Sequence, residues 1–466
     1  MNYYYERLKK LGLEIPSILL PKAARESAEL KKWPVIACDQ FTQDRGFWEK
    51  VKTGTAGTPS SLNLIFPEAY LSDAGASGRI ADIHLTMKRY LAEGVFDEPK
   101  KGFFYIERDT PYNKKRRGLI AAVDLDQYDW HSGTRPLIRS TEGTVADRLP
   151  PRMDIRRGAP LELPHILLLI DDDTDNLLPS LGRIAEKTAP VYSTQLMMDC
   201  GSVTGWFLDT EAGGQSDEIL SLIALELQRL CDRSCGRYTE DAEALYTGSP
   251  PFLYAAGDGN HSLAAAKGIW QEYRELHGGA GAQHPCRYAL VEIENIYDPA
   301  IQFEPIHRLV FDFSPDEIIS VLSGLPGFSC RSAGSAEELS KAVCGGRYGD
   351  GQQKGVPGNI FGVISRERYA LVETSAGGIA TACLQPLLDS LVSEKSGLID
   401  YIHDEEELFR LALNSGGRKA AGILLPPVHK AGLFETVARY GPLPRKSFSM
   451  GHSCEKRFYL ESRALF

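Results

Sequence analysis

Short apolar runs and amphipathic stretches alternate along the whole chain, with no long interval given over to either. The runs at 35–37, 62–66, 103–106, 119–123, 166–170, 252–256, 288–293, 360–364 and 422–425 predict strands. Spacings of three and four predict helices through Ile80, Ile83, Met87 and Leu91, and through Ile219, Ile223, Leu227 and Leu230. A third stripe, Leu263, Ala266, Trp270, Tyr273 and His277, has the same period. All three read as core faces. Strands interleaved with helices imply a mixed α/β fold (α+β in the broad sense).

Polar punctuation divides the pattern. Glycines from 278 close the third helix, and the stretch 345–358 reads as an exposed linker or hairpin. At 466 residues the chain exceeds what one hydrophobic core supports. We therefore expect a main α/β lobe over 1–311 and a second α/β lobe over 312–466.

Charge and cysteine usage narrow the function classes. The net charge of −10 disfavours nucleic acid as a partner while leaving room for a locally basic pocket. No apolar run approaches the roughly 20 residues that span a bilayer, so no membrane is expected either. Nine scattered cysteines with no CxxC pair suggest reduced thiols in a cytoplasmic protein. Cys231 and Cys235 are spaced for a shared metal, but no second pair completes a zinc site. The run Asp171-Asp172-Asp173-Thr174-Asp175 is the alternative candidate for Mg²⁺, against the plainer reading of a solvated loop end.

The densest candidate chemistry is Gly257-Asp258-Gly259-Asn260-His261-Ser262, where a predicted strand turns into a predicted helix. Glycine permits positive φ and close approach of a ligand. The first turn of a helix offers N–H groups to an anion. A single capping residue would explain Asp258 or Asn260 alone; four polar side chains in one turn exceed that need. Downstream, His307 and Arg308 would reach this turn in a parallel βαβ arrangement and bind phosphate or carboxylate. Glu142 is a candidate base or magnesium ligand and Arg148 an anion ligand. Asp39 closes an early strand, and Lys446 with Ser447 lies beside a late one. Neither a Gly-x-Ser-x-Gly elbow nor an HExxH motif occurs.

These residues, with Pro305-Ile306-His307-Arg308, Glu142-Gly143-Thr144, Asp147-Arg148 and Tyr401-Ile402-His403, resemble the bacterial domain-of-unknown-function family 1015 over almost the whole chain. The central turn also resembles the Asp-Gly-His-His-Arg turn of ParB-like nucleotide-binding proteins, sulfiredoxin and the free serine kinases. Here Asn260 stands for the first His and Ser262 for the Arg, which removes an expected phosphate contact. Arg308, Arg148 and Lys446 are the candidate substitutes. The resemblance implies a ParB/sulfiredoxin-like core elaborated by additional lobes. It also implies phosphoryl transfer to a small hydroxylated metabolite, free L-serine first, from pyrophosphate, ADP or ATP with Mg²⁺. Positioning and charge neutralisation would then carry the chemistry. In that reading Asp258 is base or metal ligand, with Glu142 and Asp39 in reserve. His261, Asn260, Ser262, Gly257 and Gly259 face the phosphoryl group, and His307, Arg308 and Lys446 act as clamps. A phosphoester hydrolase and a non-catalytic nucleotide-binding module are the alternatives.

Overall fold

Strands whose side chains are apolar on both faces must be covered on both faces, and the runs at 119–123, 166–170 and 288–293 are of this kind. In the computed structural model they form the middle of a large sheet. The structure describes residues 3–466 except 26, 43, 114, 132, 212, 239–250, 279–282, 346–357, 378, 396, 415–417 and 429. The architecture is mixed α/β.

Two compact units divide the chain: Met1–Ile301 with Gly451–Phe466, and Gln302–Met450. The boundary expected at 311/312 differs from this division in two ways. The strand His307–Phe311 pairs with Leu398–Ile402 and Ala420–Leu424, which draws it into the second unit. Residues 451–466 return to the first unit, where Phe458, Tyr459, Leu460 and Leu465 join its core.

The sheet of the first unit runs Tyr128–Asp129, Ile138–Ser140, Tyr254–Asp258, Leu167–Ile170, Tyr288–Asn295, Arg116–Asp124, Lys100–Asp109, Ser202–Asp209 and Tyr192–Gln195. Its centre is fully buried at Leu119, Ile120, Leu168, Leu169, Val291 and Ile293. The predicted helices form as Ala76–Ala92, Gly213–Arg237 and Asn260–His277. The last of these packs on the helix Leu149–Arg156 at a close approach. A Cβ on Gly268 would stand 2.8 Å from the Met153 methyl, so a larger residue there would displace the end of that side chain.

Two expected strands do not form as such. Residues 62–66 are apolar except for Asn63, but Ser60 caps a 3₁₀ turn, Ser61–Leu64, by accepting from the Leu62 N–H. The 35–37 segment makes only an isolated bridge, Ile36 to Phe458.

In the second unit a six-stranded antiparallel sheet is ordered Ser329–Ala333, Tyr369–Thr374, Asn359–Ile364, Ala420–Leu424, His307–Phe311, Leu398–Ile402. Its central side chains divide between two clusters, one around Val310, Phe361 and Val363, the other around Leu309, Ile364 and Leu424. The glycine-rich stretch after Gly345 lies outside the described residues from 346 to 357. Among the described residues no helix is long and apolar enough to cross a membrane.

Candidate functional site

The strand Tyr254–Asp258 lies between a parallel neighbour, Ile138–Ser140, and an antiparallel one, Leu167–Ile170. This arrangement has three consequences for the site. The parallel neighbour ends level with Ala256, so the segment carrying Glu142 starts beside the turn. The antiparallel neighbour begins there, which brings His165 to the same end of the sheet. The parallel βαβ arrangement is not formed: the strand after the motif helix, Tyr288–Asn295, runs parallel to Leu167–Ile170 and hence antiparallel to the motif strand.

Gly259 turns the chain into the helix with φ at +75°, and its α-carbon faces Ile166, where a Cβ would lie 3.1 Å from backbone. No side chain caps this helix among the described residues. Asn260, expected on the phosphoryl group, instead fastens the turn. Its Oδ1 accepts from the Ser140 hydroxyl at 2.7 Å and the Thr141 N–H at 3.2 Å, while its Nδ2 donates to the Ala256 carbonyl at 3.2 Å. Both ends of a buried amide are thus engaged across two strands. His261 accepts on Nε2 from the Val145 N–H at 3.4 Å, tying the loop after Glu142 to the helix.

Around this turn stand groups that the sequence did not announce. Lys456, almost wholly buried, puts its ammonium 3.1 Å from Asp258 Oδ2, and Asp258 Oδ1 accepts from the Gly259 N–H at 3.0 Å. His165 Nε2 is 2.8 Å from the Ser262 hydroxyl, and its Nδ1 is 2.8 Å from the buried Tyr459 hydroxyl. That hydroxyl also accepts from the Cys38 N–H at 3.1 Å. Asp39 is the next residue along the chain. Burial works to raise its carboxyl, but the neighbouring His165, a hydrogen bond from Gln40 and the Lys456 ammonium outweigh it, so it lies below the usual range. Glu68 moves the other way. Burial, reinforced by the Asp39 charge, raises it although Arg152 Nη2 touches its Oε1 at 2.5 Å.

Lys456 and Tyr459 arrive on the segment 451–466, which is fixed by buried ion pairs. Arg457 meets Glu292 at 2.5 Å and also Glu461, and Arg463 meets Glu162 at 2.6 Å. Arg108 donates to the carbonyls of Cys454 and Lys456. Cys200 and Cys454 are bonded to each other, with Cα atoms 5.0 Å apart, which corrects the expectation that every cysteine is a thiol.

Other expected residues fall elsewhere. Arg148 is exposed at the start of the helix Leu149–Arg156, and its carbonyl accepts from Arg152. His307 and Arg308 belong to the second unit and are fully buried. His307 Nδ1 accepts from the Leu425 N–H, and Arg308 donates to Gln385 and lies over the Tyr401 ring. Lys446 is exposed in that unit at φ +60°, while Ser447 is buried against Thr381. The acidic run serves structure. Asp172 accepts from the Asn176 and Leu177 N–H groups and pairs with Arg229, and Asp173 pairs with Arg233. Among the described residues no group of three or more His, Cys, Asp or Glu is arranged to hold a metal ion, Cys231 and Cys235 included.

The family model for proteins of unknown function 1015 matches residues 19–390, well over half of the chain. The chain belongs to this family. Lys456 and Tyr459 lie beyond the matched stretch of the family model. Among curated proteins none matches the sequence. A solved free serine kinase in complex with AMP aligns at TM-score 0.36 and 12% identity, covering 77% of this chain and 94% of its own. A conserved hypothetical protein from Pyrococcus furiosus aligns at 0.33 and 12%, over 73% and 90% of the two chains. C-terminally truncated SbnI from Staphylococcus aureus aligns at 0.35 and 9%, over 73% and 85%. Scores this low assign no activity.

Proposed function

We propose that the turn at 257–262 carries phosphoryl transfer from pyrophosphate, ADP or ATP to a small hydroxylated metabolite, with free L-serine as the first acceptor. The observation behind this reading is the start of the helix Asn260–His277 without a side-chain cap, set beside the buried Lys456 cation. Backbone N–H groups and a fixed ammonium attract a phosphoryl group. In this reading Asp258, with Asp39 and Glu142 as alternatives, takes the proton of the acceptor hydroxyl. L-serine is put first because the turn resembles that of the free serine kinases.

Magnesium fits this site as a companion of the donor. It needs only one or two carboxylates when phosphates supply the remaining oxygens, and Asp39 is held ionised. Bound there, it would neutralise donor charge. Lys456 and the helix start would orient the phosphoryl group, and the carboxylates would hold the acceptor.

The test is incubation of the protein and Mg²⁺ with L-serine and each donor in turn, with mass spectrometry for O-phosphoserine. Donor-dependent product, reduced about 10²–10⁴-fold in Asp258→Asn, is the expected result. Release of phosphate without any acceptor would turn the reading to a hydrolase. A folded protein that binds nucleotide and consumes no donor would leave only a binding module.

A further inference from the structure

Ser262 is in contact with an imidazole whose far nitrogen is itself held. Ser262 Oγ lies 2.8 Å from His165 Nε2, and His165 Nδ1 lies 2.8 Å from Tyr459 Oη. The tyrosine is fixed in turn. Its backbone N–H donates to the Val35 carbonyl at 2.9 Å, and its oxygen accepts from the Cys38 N–H at 3.1 Å. In the tautomer that carries its proton on Nδ1, His165 donates to the phenol oxygen. Nε2 then presents its lone pair to the Ser262 hydroxyl. Hydroxyl, base and orienting group in hydrogen-bond sequence are the arrangement of an activated nucleophile. The hydroxyl is only half-buried, in the first turn of the helix without a side-chain cap.

We propose that Ser262 is a covalent phosphoryl carrier, with His165 as its base and Tyr459 as the residue that positions the imidazole. This rests on the phosphoryl-transfer reading and adds an intermediate to it. In the first step Ser262 Oγ attacks the terminal phosphorus of a phosphoanhydride donor. The Oγ–P bond forms, the bond to the leaving phosphate or nucleotide breaks, and the serine proton moves to His165 Nε2. In the second step the acceptor hydroxyl attacks the phosphoserine phosphorus. The Oγ–P bond breaks, His165 returns its proton to Oγ, and the acceptor proton passes to the Asp258 carboxylate and on to solvent. An asparagine or glycine at 262 would offer no such route. The substitution of Ser for the Arg of the related turn thus changes the chemistry as well as removing a contact.

The experiment uses the full chain with Mg²⁺ and pyrophosphate, ADP or ATP labelled at the terminal phosphorus, without acceptor, then parallel acid and alkaline quenches and peptide mapping. The expected result is acid-stable label on the protein, up to about one per chain, on the peptide containing Ser262. Ser262→Ala abolishes it, and Ser262→Thr, which keeps the hydroxyl, retains it. His165→Gln slows labelling by about 10²–10⁴-fold. Tyr459→Phe moves the pH profile of labelling without removing the label. Thermal unfolding of each variant separates loss of chemistry from loss of fold. Acceptor turnover by the wild type with no label, and with Ser262→Ala equally active, overturns the carrier while leaving direct phosphoryl transfer in place. An acid-labile, alkali-stable label overturns it in favour of a histidine nitrogen. No consumption of any donor overturns both readings.

Discussion

Asp258 and Asn260 are two residues apart and look alike in sequence, yet the structure gives them different work. Asn260 fastens two strands with both ends of its amide, whereas Asp258 faces the Lys456 ammonium. Asn260→Ala should therefore lower stability by about 1–3 kcal/mol, since it leaves the Ala256 carbonyl and the Thr141 N–H without this partner inside the protein. Urea denaturation checks it; an unchanged midpoint would mean that water replaces the amide. The sequence marked this turn because glycine and polar residues crowded between apolar runs have few structural explanations. It did not mark His165, which stands beside Pro164 at the head of an apolar run and reads as a strand leader. Nothing within ten residues of it foretells Ser262 on one side and Tyr459 on the other.

At the level of elements, long apolar runs such as 119–123 and 166–170 were legible as strands, whereas the buried strands Ile138–Ser140 and His307–Phe311, which carry Arg139, Ser140, His307 and Arg308, were not. The 62–66 run reads as a strand and forms none. Its burial comes from a capped turn, and Ser60 supplied the only cue. The parallel βαβ expectation failed because a helix constrains the position and direction of the next strand only loosely. Tyr288–Asn295 lies beyond Leu167–Ile170, with its direction reversed relative to the motif strand. Strand order is a long-range property, and period alone does not encode it. The helix does fix its own start. Gly259→Ala would force a side chain into the left-handed region and against Ile166. A loss of about 1–3 kcal/mol is expected, with activity falling as the first helical turn shifts. Equal stability with full activity would show that the turn relaxes elsewhere.

Across the whole molecule the least legible feature is the return of residues 451–466. Ala37 donates to the Arg457 carbonyl, and Tyr459 to Val35, contacts more than four hundred positions apart that carry no local signature. Glu162 is one anchor of this segment. Burial works against its charge, but Arg156 at 2.8 Å and Arg463 at 2.6 Å hold its carboxyl below the usual value. A depressed folded-state carboxyl stabilises above the unfolded value near 4.3 and loses that contribution as pH falls through the folded one. Acid denaturation should therefore release the segment. Glu162→Gln should lose about 3–5 kcal/mol at neutral pH, because it strands buried arginines, and should show a flatter stability curve below pH 5. Denaturation midpoints of both proteins between pH 3 and 7 test this. A parallel pair of curves would count against the ion pair as the anchor.

The order of the units along the chain also sets a timetable for biosynthesis. A ribosome that has finished Ile301 must add the roughly 150 residues of the second unit before Lys456 and Tyr459 exist. At about 5–20 residues per second this takes roughly 8–30 s. Through that interval Glu292 and Glu162 wait without Arg457 and Arg463, and the core of the first unit lacks Phe458, Tyr459 and Leu460. Nascent chains stalled in this window should bind chaperones and be cut by protease within the first unit, and become resistant once the returning segment is made. The contacts of Lys456 with Asp258 and of Tyr459 with His165 cannot form until these residues have left the ribosome.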